Sequence, residues 1–174
     1  MSDYHSLKAL VLDYYRELEA ANAETVASVI GRFTAPGFQW YGVHPFGEQC
    51  GTEAVAEAFW CPFLSAWSHV QRRQDVFIAG TSEIDQTDWT ISMGHLMGLR
   101  DRPWLGIPAS HKVGFLRYAD FNCVRNGKIV RSGFFCDLIG VMHQVGIHPL
   151  PPQTGASFLY PGPRTHDGIP LAAQ

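Results

Sequence analysis

The stretch that decides the fold runs from Leu105 to Gly146, LGIPASHKVGFLRYADFNCVRNGKIVRSGFFCDLIGVMHQVG. From Val113 to Arg125 it alternates as a strand does. Leu116, Tyr118, Asp120 and Asn122 share one face, and Val113, Phe115, Arg117, Ala119, Phe121 and Cys123 share the other, more apolar one. Asn126-Gly127 then supplies the two positive φ values that a tight hairpin turn demands. Lys128 to Cys136 is the returning strand. Asp137 caps a short helix from Leu138 to Val145, and Gly146 stops it. The stretch thereby sets Arg117, Tyr118, Asp120 and Asp137 among apolar and aromatic neighbours. Carboxylates in such company are either satisfied structural groups or working parts of a pocket.

Working back from this hairpin, Trp89 to Leu99 and Val70 to Ala79 read as two more strands. Further upstream the period changes to that of helices. Ser6 to Ala20 carries Leu7, Leu10, Val11, Tyr14, Tyr15 and Leu18 on one face. Asn22 is placed to cap a second helix ending near Gly31. Phe38 to Gly42 is a short strand. Thr52 opens a third helix with Val55, Ala58, Phe59 and Trp60 inward, and Pro62 ends or kinks it. Helices first and then mostly consecutive antiparallel strands make an α+β fold, with the helices on one face of a curved sheet. The tail from His148 is rich in Pro and Gly and reads as an extended arm, so the chain divides into a domain at 1–147 and an arm at 148–174.

The bulk numbers narrow the function classes. Charged residues make up only 17% of the 174, against 46% hydrophobic and 13% aromatic. An average domain carries about 25% charged residues. The shortfall points to extra buried area, in an internal cavity, an oligomer interface or both. A net charge of −3 without any basic run argues against nucleic-acid binding. No apolar run nears the roughly 20 residues of a membrane helix. The four cysteines show no CxxC spacing and the N-terminus no signal-peptide pattern, which implies reduced thiols and a cytoplasmic location. Eight histidines include no HExxH motif and no spacing that pairs them with other ligands, so neither a metal nor a cofactor is expected. Phosphate-binding glycine loops and GxSxG are also missing.

In their order and spacing, Trp89 with Gly98, Gly106-Ile107-Pro108, Gly127-Lys128-Ile129, Asp137 and Gln144-Val145-Gly146 resemble the SnoaL-like polyketide cyclases. That family lies within the nuclear transport factor 2-like, or cystatin-like, superfamily. The resemblance covers Trp89 to Gly146 well and the first half loosely. It implies a cone: a strongly curved, mostly antiparallel sheet and about three N-terminal helices enclosing a pocket. It also implies a homodimer through the convex sheet face. The activity it implies is cofactor-free acid/base chemistry on a small, hydrophobic, carbonyl-bearing molecule, giving a cyclase, isomerase or dehydratase. In the family an Asp on the last strand and a His on the strand before it carry the chemistry. By spacing these positions fall on Phe134 and Asp120, a neighbouring polar position on Tyr118, and one from the first strand on Trp40. Phe134 cannot transfer a proton, so a non-catalytic ligand-binding or dimerisation domain is the alternative.

The candidate catalytic residues are accordingly Asp120, Tyr118 and His95. Burial of Asp120 would raise its pKa toward that of a useful base; the competing reading is a carboxylate paired with an Arg or exposed. His95 shares a strand face with Ile91, Met93 and Met97, which reads as the core or pocket face. Trp40, Trp60 and Phe134 are expected to line or fill the core as the wall for a flat ligand. Asp137 caps its helix or faces the cavity mouth. Arg117 either binds an anionic group or forms an intersubunit ion pair. His44, in a loop, lies near where a cavity would open.

Overall fold

A computed structural model describes residues 3–152. Helix α1 (Tyr4–Ala20) starts where Asp3 accepts hydrogen bonds from the His5 and Ser6 amides, satisfying two of the donors a helix leaves open. Its buried face is Leu7, Lys8, Val11, Tyr14, Tyr15 and Leu18. Helix α2 (Val26–Phe33) begins later than expected. The Asn22 carboxamide accepts from the amides of Glu24 (2.9 Å) and Thr25 (3.0 Å), closing a turn ahead of the helix instead of capping it. Strand β1 (Thr34–Gly42) and a short strand unread in the sequence, β2 (Glu48–Cys50), pair antiparallel.

The expected third helix is one continuous rod in three pieces: α3 (Thr52–Val55), a wider π-helical turn over Ala56–Trp60, and α4 (Cys61–Ala66). Pro62 lacks an N–H and sits in the first turn of α4, so the widened turn before it absorbs the mismatch and the rod goes on. Four long strands follow: β3 (Trp67–Thr81), β4 (Asp88–Arg100), β5 (Val113–Arg125) and β6 (Lys128–Cys136). Asn126 and Gly127 have φ of 52° and 69°, as the β5–β6 turn requires. Helix α5 (Leu138–His143) is capped by Asp137, whose Oδ1 accepts from the Gly140 amide at 2.7 Å. It ends two residues before the predicted limit, with Gly146 at φ 78° just beyond.

The six strands form one mixed sheet in the order β2-β1-β6-β5-β4-β3. Only β1 and β6 run parallel. The helices cover one face, making the α+β cone. The arm expected from residue 148 lies, from residue 153 on, outside the described residues.

The register tells which residues face inward. Tyr118 pairs with Gly94, Asp120 with Ser92 on one side and Phe134 on the other, and Asn122 with Thr90 and Ser132. These positions are buried beneath the helices, so the Tyr118–Asp120 face of β5 is the interior one. The opposite face carries Arg117, Phe115 and Phe121. His95 pairs with Arg117. Residues paired across antiparallel strands share a face, so His95 lies outside with Arg117, and the expectation that Ile91, Met93, His95 and Met97 face the core is corrected. At Ile91, Met93 and Met97 of β4 the apolar side chains point outward, while Thr90 and Ser92 point inward.

Candidate functional site

The interior has two zones. Toward the β1 end it is aromatic. Phe134 has Phe59 at 4.8 Å between ring centroids, Trp40 at 6.0 Å, Trp60 at 6.3 Å and Tyr118 at 6.2 Å. Phe46, Phe63 and Trp104 extend the cluster around Phe59. Trp40, Trp60 and Phe134 are all at least 95% buried, so the expected wall residues come together as one packed group.

Toward β3 the interior is polar, because β4, β5 and β6 place hydroxyl, amide and carboxyl side chains at successive inward positions. Gln74 Nε2 donates to Ser92 Oγ at 2.8 Å, and Ser92 Oγ shares a 2.9 Å hydrogen bond with the Tyr118 hydroxyl. Ser132 Oγ donates to Asn122 Oδ1 at 2.6 Å, and Asn122 Nδ2 donates to the Tyr15 hydroxyl at 3.0 Å. Asp120 stands between these chains. Its side chain is 6% exposed, and Arg72 Nη1 lies 3.8 Å from its Oδ2. Tyr15 and Asn122 lie close enough to it to favour its charged form.

Burial pushes the Asp120 carboxyl above the usual carboxylate range, and it outweighs the opposing pull of the Arg72 charge and of those two side chains. Burial foremost, and then the Asp120 charge, raise the Tyr14 and Tyr15 phenols as well. For Arg72, burial works against the charge. Tyr118, Tyr15 and Asp120 together prevail and hold the guanidinium protonated. The arrangement is thus a buried carboxyl raised above its ordinary value beside a fixed cation, within a network of hydroxyl groups. It suits moving a proton to or from a bound molecule.

Of the residues singled out from sequence, Asp120, Tyr118 and Phe134 meet, with Trp40 and Trp60 behind Phe134. The others do not join them. His95 is across the sheet, with Asp75 Oδ2 3.5 Å from its Nδ1 and the Phe115 ring edge-on at 6.2 Å. Arg117 is on that outer face too, its carbonyl accepting from the Asp137 amide. Asp137 is exposed and acts as the cap of α5. His44 is exposed in the β1–β2 connection. Cys136 is no nucleophile at neutral pH, since burial, with Asp137 nearby, pushes its thiol up to about 12.

Arg72, Ser92 and Ser132 went unread in the sequence, and Tyr15 and Asn122 were placed on their element faces without a role in the site. Tyr15 was visible only as one apolar position of the α1 stripe. Asn122 and Ser132 were legible through alternation, from Asp120 and Phe134 respectively.

A groove of about 410 Å3 on the surface is lined by Asn22, Glu24, Leu64, Trp67, Asp101 and Arg102, among others, and includes none of the Asp120 network. A second hollow of about 280 Å3, along Ile78, Trp89 and Ile91, lies against the outward positions of β4.

No family model and no curated protein matches this sequence. Solved structures do match. A candidate SnoaL-like polyketide cyclase from Jannaschia sp. CCS1 is 21% identical, with a TM-score of 0.62 over 87% of this chain and 98% of its own. IdmH of Streptomyces antibioticus, a candidate polyketide cyclase, is 12% identical, with a TM-score of 0.65 over 80% of this chain and 97% of its own. A candidate isomerase from Bacillus subtilis is 11% identical, with a TM-score of 0.58 over 84% and 96%. At these identities the likeness establishes the fold alone, the α+β cone that this chain shares with these structures.

Proposed function

We propose that the interior binds a small, hydrophobic, carbonyl-bearing molecule and that Asp120 moves a proton at the carbon beside the carbonyl, as in a cyclase, isomerase or dehydratase. The observation that carries this reading is the buried, upward-shifted Asp120 carboxyl, next to the Tyr118–Ser92 hydroxyl pair and the ring of Phe134. Tyr118 donates to the substrate oxygen while Asp120 takes the proton. The aromatic group of Trp40, Trp60 and Phe134 supports a flat ligand. No cofactor enters the scheme. The names of the structural neighbours, cyclases and isomerases among them, agree with this class of chemistry.

The test is hydrogen–deuterium exchange at the α-carbon of 2-tetralone, a flat bicyclic ketone, followed by NMR in deuterated buffer. Wild type is expected to accelerate exchange over buffer, and Asp120→Asn to abolish the acceleration. Equal rates for the two proteins would sink the assignment. A second reading, a domain that binds a ligand or a partner without turnover, is favoured by the packing around Phe134, which leaves no acid on β6 opposite Asp120.

Under either reading we infer a cytoplasmic homodimer formed through the convex face. Val113, Phe115 and Phe135 are 53%, 45% and 54% exposed on that face, and apolar side chains in one patch invite a partner. No described helix is long and apolar enough to cross a membrane. A single-chain mass by light scattering at micromolar concentration would refute the dimer.

A further inference from the structure

Among the described residues the interior holds the Arg72 guanidinium, a buried cation beside Asp120 whose donors the proton transfer leaves idle. Its side chain is 4% exposed. Both faces are occupied, since its central carbon lies 3.8 Å from the centroid of the Tyr15 ring and 4.4 Å from that of Tyr118. A guanidinium held between two rings can donate only along its edge. On that edge, Nη1 and Nη2 are buried and neither has an acceptor in full hydrogen-bond geometry among the described residues, the Tyr118 oxygen and Asp120 being near enough only to stabilise the charge. Asp120 Oδ2, at 3.8 Å from Nη1, is beyond hydrogen-bond reach.

Buried charged donors are as a rule satisfied, because an unpaired one forfeits its hydration for nothing. Two adjacent N–H groups on a planar fork match the two coplanar oxygens of a carboxylate. We propose that Arg72 is the anion anchor of the interior, its free edge holding the carboxylate of a flat, largely apolar ligand as a two-pronged ion pair. This rests on the reading above only in taking the interior to bind a ligand, and it narrows that ligand to an organic acid.

The surroundings agree. Tyr118 and Phe134 are stacked within 5° of parallel, a flat surface next to the anchor. Arg72 lies on β3, the edge strand. The seam between β3 and the end of α1 is bridged there by the Arg72 amide donating to the Glu19 carboxylate.

Calorimetric titration with 2-naphthoate and with its neutral counterpart 2-naphthamide tests the anchor. Wild type is expected to bind the acid at least about tenfold more tightly than the amide. Arg72→Met should erase that preference, and Arg72→Lys, which keeps the charge but not the fork, should keep only part of it. Melting curves for both variants establish that they fold. Should the Met variant fail to fold, the Lys variant and the wild-type acid-to-amide ratio still decide. Equal wild-type affinities, no binding of 2-naphthoate at millimolar concentration, or a preference unchanged in a folded Arg72 variant would overturn the proposal. The two readings fail separately. Loss of tetralone exchange with the acid preference intact removes catalysis and leaves the anchor, and the reverse removes the anchor alone.

Discussion

Phe134→Ala measures how fully the aromatic end of the cone is packed, which decides whether a ligand can lie there without rearrangement. Phe134 is 1% exposed, with four aromatic rings centred within 6.3 Å of its own. Truncating a packed Phe to Ala costs about 3–5 kcal/mol, from lost transfer energy plus the cavity left behind. For a domain of this size each kcal/mol lowers Tm by about 2–4 °C, so the expected fall is about 6–20 °C. Circular dichroism melts and urea titration give the two numbers independently. The same reasoning forbids a simple graft of the acid that the resemblance puts at this position. Phe134→Asp adds several kcal/mol for burying an unpaired carboxylate, and the total approaches the whole stability of an ordinary domain, about 5–15 kcal/mol. A Phe134→Ala loss below about 1 kcal/mol would refute this account. It would mean that the ring borders open or hydrated space, and Phe134→Asp would then be a sensible route to activity.

Three further outcomes follow from other parts of the fold. Because Asp120 is raised in the folded state, the unfolded chain releases this proton first. Stability conferred by the protonated group is therefore full below about pH 4, the ordinary Asp range, and declines as pH rises through the raised folded value. The Tm of wild type relative to Asp120→Asn should fall across that window, and a difference that is flat from pH 3 to 8 would contradict it. Gln144 acts as a stand-in strand beyond the end of β6: its Oε1 accepts from the Phe115 amide at 2.8 Å and its Nε2 donates to the Phe115 carbonyl at 2.7 Å. Gln144→Ala should cost about 1 kcal/mol, since the site is exposed and water replaces part of the loss, with amide exchange at Phe115 accelerating first. Gly114→Ala would drive a Cβ to 2.3 Å from Arg100 Cδ. Arg100 bonds the Val141 and Pro108 carbonyls and lies over Trp67, so this overpacking should cost about 1–3 kcal/mol in urea unfolding.

Most of the fold was legible because its signals are local. The β5–β6 hairpin follows from one Asn-Gly turn and two uninterrupted alternations, and both strands have the expected limits. Asp120 and Tyr118 were legible for the same reason. His95 was misread because apolar neighbours were taken to mark the interior. In this sheet Thr90, Ser92 and Gly94 face inward while Ile91 and Met93 face out. The pairing with β5 carries the correct answer: once Arg117 is placed outside, residue 95 must follow it, whatever its neighbours' hydropathy.

Arg72 was out of reach for a different reason. Trp67 and Phe77 are both buried inward residues of β3, and simple alternation between them would send every even-numbered residue outward. Two one-residue register shifts intervene, between Ser68 and Gln71 and between Gln74 and Val76. Each reverses the alternation. Residues 72 and 74 therefore face inward, opposite Leu96 and Gly94, and the strand recovers its original phase at Phe77. His69, at φ 52°, sits in the first shift. Gly94 has room for no side chain, since a Cβ there would lie 2.0 Å from the Arg73 carbonyl oxygen. The backbone at the second irregularity is thus pressed against β4. Nothing in the residue types of Val70 to Ala79 announces a bulge, yet the pair of bulges delivers the cation and the Gln74 amide to the interior. Arg72 and Gln74 thus reach the interior through strand irregularity, and a variant that restored regular pairing in β3 would lose Arg72 from the site while leaving Asp120 in place.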